Sequence, residues 1–166
     1  MKSTEELLAE LQDSTEKIIA AISAVPDEKL NIKPAPEKWS AGECAEHIVL
    51  TELLINRLFR GNGVAAERRP DEKVSDMAEK FGDAEKKLSA FGPIIPSASE
   101  KSKEELLKRF SSNRNMLAEY IKTKDMSELI TSFKHGLFGE MTRYEWAQFI
   151  IHHSERHRKQ MLRAVE

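Results

Sequence analysis

The sequence predicts an all-α protein that folds as an antiparallel four-helix bundle, with room for one extra short helix. Apolar residues recur every three to four positions along nearly the whole chain, and no segment alternates like a half-buried strand. Four segments have the S/T-x-x-E form of a helix capping box, and connectors rich in proline or glycine separate them. Helices joined by short connectors pack most simply as a bundle.

The capping boxes indicate where the long helices begin. Their first residues are Ser3, Ser40, Ser102 and Thr142. The first helix should end at Pro26 and the second near Gly61, and the last should run to the C-terminus. Residues 62–70 are predicted to form a loop, GPIIPSAS (92–99) a break, and KHGLFGE (134–140) a turn-rich approach to the last helix.

A heptad-like stripe between the second and third capping boxes predicts the extra helix. Apolar residues recur there at alternating steps of three and four: Val74, Met77, Phe81, Ala84, Leu88 and Phe91. A helix through all of them would have about five turns, although Gly82 would cost about 1 kcal/mol relative to alanine. The stripe suits a homodimer interface as well as the chain's own core, and we expect a homodimer.

Composition predicts one soluble domain over residues 1–166. The net charge of −2 and the pI near 6.3 argue against a nucleic-acid partner. No apolar run approaches the roughly 18 residues of a membrane span, and the acidic, amphipathic N-terminus does not resemble a signal peptide. The lone cysteine, Cys44, excludes an internal disulfide and suits a reducing compartment, so we expect a cytoplasmic protein.

Three histidines are the candidate metal ligands. His153 and His157 are four residues apart, so in a helix their rings lie about 40° apart on one face and can converge on one ion. The H-x-x-x-H spacing alone is a weak signal. His47, among apolar neighbours in the second helix, is the best third ligand; taken alone, it is more readily explained as a core histidine bonded to a carbonyl or a carboxylate.

Other polar side chains were weighed for the same site. Glu43 is one turn before His47 and is the candidate catalytic base, although partnership with Ser40 in the capping box is the simpler explanation. Cys44 is better explained as a small buried core residue than as a ligand. His135 should lie in a mobile loop, and His152 should point about 100° away from its neighbour, towards solvent or a partner chain.

Two segments together resemble the DinB-like superfamily of DinB/YfiT-like metalloenzymes. They are KWSAGECAEHIVLTE (38–52) and HGLFGEMTRYEWAQFIIHHSERHRKQ (135–160). The resemblance implies a four-helix bundle that binds one divalent metal ion per chain through three histidines, which correspond here to His47, His153 and His157. Three protein ligands with an open position are typical of a catalytic metal. Imidazole suits Zn, Ni and Fe alike, so the identity of the metal does not follow.

Two functions of different classes are compatible with this pattern. The first is a metal-dependent enzyme that acts on a small-molecule substrate, by hydrolysis or, as the resemblance implies, by transfer of a low-molecular-weight thiol. The alternative is a non-catalytic, metal-binding and dimerising bundle associated with stress. In either case the ligands must be neutral, so metal affinity should fall as the pH drops below the ordinary histidine pKa of about 6.5.

Overall fold

The computed structural model describes residues 1–83 and 88–166, and five α-helices lie in these ranges. They are α1 (Thr4–Ala24), α2 (Ala41–Arg60), α3 (Val74–Gly82), α4 (Lys103–Thr123) and α5 (Arg143–Arg163). Every long helix begins directly after its predicted cap, because the serine or threonine hydroxyl accepts a hydrogen bond from the backbone amide three residues later. Short 3-10 helices at Asp27–Lys29 and Gly92–Ile94 interrupt the connectors.

The four long helices form the predicted four-helix bundle. Helix α2 packs against α4 and α5, and α1 packs against the same two helices, so α1 and α2 occupy opposite corners. The short helix α3 packs on the outside against α5 and is the predicted extra helix. Across the two described ranges, none of the helices has the length and apolar character that crossing a membrane requires.

A buried polar layer divides the hydrophobic core into two clusters. Along each long helix, residues of one cluster lie on one side of a buried polar residue and residues of the other cluster lie on its other side. These four polar residues form the layer: Ser14, Glu52, Arg114 and Ser154. The guanidinium of Arg114 donates to the Glu52 carboxylate at 2.7 Å and to the Ser154 hydroxyl at 2.9 Å. This network joins all four helices at the middle of the bundle.

A β-hairpin precedes α5, where the sequence predicted only a turn-rich approach. Strands β1 (Leu129–His135) and β2 (Gly139–Thr142) pair antiparallel, and Val64 of the predicted loop adds an isolated bridge to Leu129. The register shifts between Ile130 and His135, and buried and exposed residues do not alternate along β1. The period-two pattern that identifies a half-buried strand is therefore absent from the sequence.

The extra helix is shorter than the apolar stripe predicted. Helix α3 ends at Gly82, and neither Leu88 nor Phe91 is helical; Ala84 lies outside the described residues. Met77 and Phe81 are buried in this chain's own core. The helical part of the stripe is thus covered within the chain, which removes the argument for a dimer that a continuous stripe had supplied.

Candidate metal centre

The three predicted histidines meet at one point between α2 and α5. The ring centroid of His47 lies 4.9 Å from that of His153 and 4.5 Å from that of His157. One ring nitrogen from each residue lies within 4.8 Å of the other two, and no other group of this kind occurs among the described residues. His47 and His153 are only 3% and 5% exposed, and His157 is partly exposed. The helical period places His153 and His157 on one face of α5, and packing of α2 against α5 brings His47 to them.

Hydrogen bonds fix which nitrogen of His47 and His157 can bind a metal. The Nδ1 atom of His47 lies 2.7 Å from the carbonyl oxygen of Ile94. The Nδ1 atom of His157 lies 2.8 Å from the side-chain oxygen of Gln160. Both oxygens can only accept, so each Nδ1 carries the proton and donates it. The lone pair of each ring is therefore on Nε2, as in histidines oriented for metal binding.

The ring of His153 is the third candidate metal ligand. The Nε2 atom of His153 is 3.0 Å from Nε2 of His47, whose lone pair can accept a hydrogen bond from it in the metal-free chain; a bound ion would take the place of that proton. Its Nδ1 atom is buried and has no hydrogen-bond partner among the described residues. Two nitrogens bound to a tetrahedral zinc ion are separated by about 3.3 Å, given Zn–N distances of about 2.0–2.1 Å. The spacing and chemistry of these imidazoles fit one divalent ion, so the three histidines can hold it.

Burial keeps the three imidazoles neutral. It lowers the pKa of His157 to about 3 and places the pKa of His153 well below its ordinary value, and the neighbouring histidines add to both effects. Burial also lowers the pKa of His47, although the bond to the Ile94 carbonyl opposes the shift. The expectation that protons compete with metal from about pH 6.5 assumed solvated rings, and these lowered pKa values indicate that the competition begins at lower pH in the folded chain.

Aromatic side chains surround the cluster. Trp39 lies against two of the histidines, with ring centroids 4.9 Å from His47 and 6.1 Å from His157. Phe149 stacks on His153 at 5.3 Å, and Phe81 meets the same ring edge-on at 5.8 Å. These rings exclude water from most of the site, which strengthens electrostatic interactions there.

Glu43 lies one turn from His47 but is held by other partners. Its carboxylate accepts from the backbone amide of Ser40 at 2.8 Å, which completes the capping box, and it pairs with Lys33 at 3.1 Å. Burial raises the pKa of Glu43, but the bonds from Ser40 and Lys33 outweigh it and the net pKa lies below the ordinary value. The capping role is confirmed, and the role as catalytic base stays a prediction.

The remaining candidates lie outside the ligand group. Cys44 is fully buried in the hydrophobic core, as the simpler explanation held, and burial raises the pKa of its thiol to about 12. His152 is half-buried beside a surface groove. His135 ends β1 instead of lying in a loop; its Nδ1 accepts from the amides of Leu137 and Phe138, and burial lowers its pKa to about 4.

Sequence reasoning missed the acceptors that orient the ligands. Gln160 is three residues after His157 in the same helix, so its spacing was a usable signal. Ile94 contributes a backbone carbonyl from the predicted break, and no side-chain pattern could have indicated it.

Comparisons with known proteins agree with the fold and identify the family. The chain is similar to the uncharacterized protein YuaE of Bacillus subtilis (strain 168), with 26% identity over 144 residues, which cover 84% of this chain and 85% of YuaE. The crystal structure of TT2238, a four-helix bundle protein, superposes with a TM-score of 0.62 at 20% identity and covers 97% of this chain and 99% of that one. The sequence profile of the DinB superfamily matches residues 7–161, and the chain therefore belongs to the DinB superfamily.

Proposed function

We propose that the protein is a metal-dependent enzyme that acts on a small molecule at an open three-histidine site. The observation that carries this proposal is the orientation of the ligands. His47 and His157 donate their Nδ1 protons to carbonyl oxygens, so that both Nε2 lone pairs are available within one buried group. Structural zinc sites have four protein ligands, whereas this group has three among the described residues.

The chemistry of such a site is compatible with two reactions. A bound divalent ion would act as a Lewis acid and lower the pKa of water or of a thiol that reached it. Hydrolysis and transfer of a low-molecular-weight thiol are the reactions we propose, with Zn, Ni or Fe as the ion. The protein's own contribution is to hold the three rings neutral and oriented, and to exclude bulk water with Trp39, Phe81 and Phe149.

Metal content is the first test of this proposal. The variants His47→Ala, His153→Ala and His157→Ala should each lose most of the roughly stoichiometric metal, because two ligands from this group hold an ion far more weakly than three. His152→Ala is the matched control, since it removes an imidazole from the same helix without touching the ligand group. Near-stoichiometric metal in His157→Ala would refute the ligand assignment.

Activity is the second test. The metal-loaded protein should transform a substrate in a panel that combines small thiols with electrophiles and with hydrolysable esters and amides. The His157→Ala variant should lack that activity under the same conditions. Full metal occupancy without any turnover across the panel would favour the non-catalytic, metal-binding alternative.

A further inference from the structure

We infer that Glu46, Ser97 and Lys101 form a clamp that holds the Ile94 carbonyl against His47, and that this clamp sets the metal affinity of the histidine group. The inference rests on the proposed metal site and assigns positioning residues to it. None of the three clamp residues touches the ligand nitrogens, so they would act only through the segment that they fix.

The clamp is built on a carboxylate next to the first ligand. Glu46 is only 8% exposed and directly precedes His47 in α2. Its carboxylate lies 3.0 Å from the ammonium of Lys101 and accepts from the backbone amide of Ser97 at 2.8 Å. The Lys101 side chain is itself only 4% exposed. A buried carboxylate with a charged partner and a backbone donor has a well-defined position.

Lys101 ties the other end of the segment to the body of the protein. Its ammonium donates to the backbone oxygen and the hydroxyl of Ser97, each at 2.8 Å. Its backbone exchanges two hydrogen bonds with the Asn31 side chain, at 2.7 Å and 3.1 Å. The lysine stem crosses α2 at Gly42, where an added Cβ would lie 2.9 Å from both Cγ of Lys101 and the Leu30 carbonyl oxygen. Glycine at that position thus allows the close approach.

The stretch between the clamp and the acceptor is short and stiff. Ile94 ends the 3-10 helix Gly92–Ile94, and Ser97 follows only three residues later. Proline at positions 93 and 96 restricts the backbone on both sides of the Ile94–Ile95 pair. A displacement of Ser97 is therefore transmitted to the Ile94 carbonyl instead of being absorbed by intervening residues.

Loss of that carbonyl would change the ligand itself. His47 is buried, and without the acceptor its Nδ1 proton would have no partner, which favours the tautomer with the proton on Nε2. That tautomer has no lone pair on the nitrogen that faces the other histidines. Removal of an outer-shell partner typically weakens metal binding by about 10–100-fold, and the clamp should fall at the lower end of this range because it acts indirectly.

The test uses the full chain with two disruptive substitutions and one conservative substitution in the clamp, and one substitution elsewhere. Glu46→Gln removes the charge and keeps the shape, and Lys101→Met removes the ammonium and keeps the stem that crosses Gly42. Glu128→Gln is the matched control, because it breaks an ion pair with Arg143 at the opposite end of α5. Zinc affinity is measured by competition with a chelator, and ¹⁵N NMR of the metal-free chain reports the protonated nitrogen of His47.

Glu46→Gln and Lys101→Met should each weaken zinc binding about tenfold and shift the His47 signals away from Nδ1 protonation, and Lys101→Arg should recover much of both. Glu128→Gln should leave both measurements unchanged. Wild-type affinity and an unshifted His47 signal in the clamp variants would overturn the inference, as would equal weakening in Glu128→Gln. If the wild-type chain bound none of zinc, nickel and iron, the proposed function would fail, but the His47 signals would still decide whether the clamp orients the ring.

Discussion

Acidification should destabilise the metal-free protein through its buried histidines. The pKa of His157 is about 3 in the folded chain, and that of His153 is also well below the ordinary value, because desolvation disfavours the charged form of both rings and each faces other histidines. In the unfolded chain both return to about 6.5. Between these limits the unfolded state binds more protons than the folded state, so stability is present above pH 6.5 and is lost as the pH falls below it.

The size of this loss follows from the linkage relation. Consider a histidine whose pKa is about 6.5 in the unfolded state and below about 4 in the folded state. Its protonation lowers the unfolding free energy by RT ln(1 + 10^(6.5−pH)), which is about 2 kcal/mol at pH 5 and under about 0.1 kcal/mol at pH 7.5. The same figure results for any folded-state pKa below about 4. His157 alone should therefore cost about 2 kcal/mol of unfolding free energy at pH 5, and the lowered pKa of His153 adds a loss of the same sign.

Urea denaturation with excess chelator at pH 7.5, 6.5 and 5 measures this effect. The matched variant is His157→Gln, which removes one titrating ring from the cluster. Its loss of unfolding free energy between pH 7.5 and pH 5 should be smaller than that of the wild type by about 2 kcal/mol. Carboxylates titrate equally in both proteins and cancel in the comparison. Equal losses in the two proteins would show that His157 is not held neutral by burial, and the reasoning would be refuted.

Three further predictions concern the polar layer and the metal. Arg114→Met should lower the unfolding free energy by about 3–5 kcal/mol, because it leaves the Glu52 carboxylate buried without its partner; adding Glu52→Leu should recover most of that loss in urea titrations. Chelation should lower the melting temperature while far-UV circular dichroism stays helical, since the bundle has a large core of its own; a coil spectrum would identify a structural ion. Zinc affinity of the folded chain should fall by less than about twofold from pH 7.5 to 6.5, whereas three unperturbed histidines would give about sixfold, a difference that chelator competition resolves.

Local sequence signals predicted the bundle because they act within one or two helical turns. A capping box needs only a hydroxyl and a carboxylate three residues apart, and all four predicted helix starts are present. The same locality explains the errors. Helix α3 ends at Gly82 although the apolar spacing continues, and the hairpin before α5 has no period-two pattern because its register shifts between Ile130 and His135.

Local sequence signals likewise predicted one part of the candidate site and not the rest. Spacing alone placed His153 and His157 on one face of α5, and the position of His47 made it the best third ligand, which the resemblance to the DinB-like superfamily then favoured over a core histidine. Only the tertiary structure decided which ring nitrogens are available and how strongly the rings resist protonation. Those properties depend on the Ile94 carbonyl, 47 residues from His47, and on burial by side chains of other elements. Periodicity is a property of neighbouring residues, whereas desolvation and long-range hydrogen bonds exist only after the helices have packed.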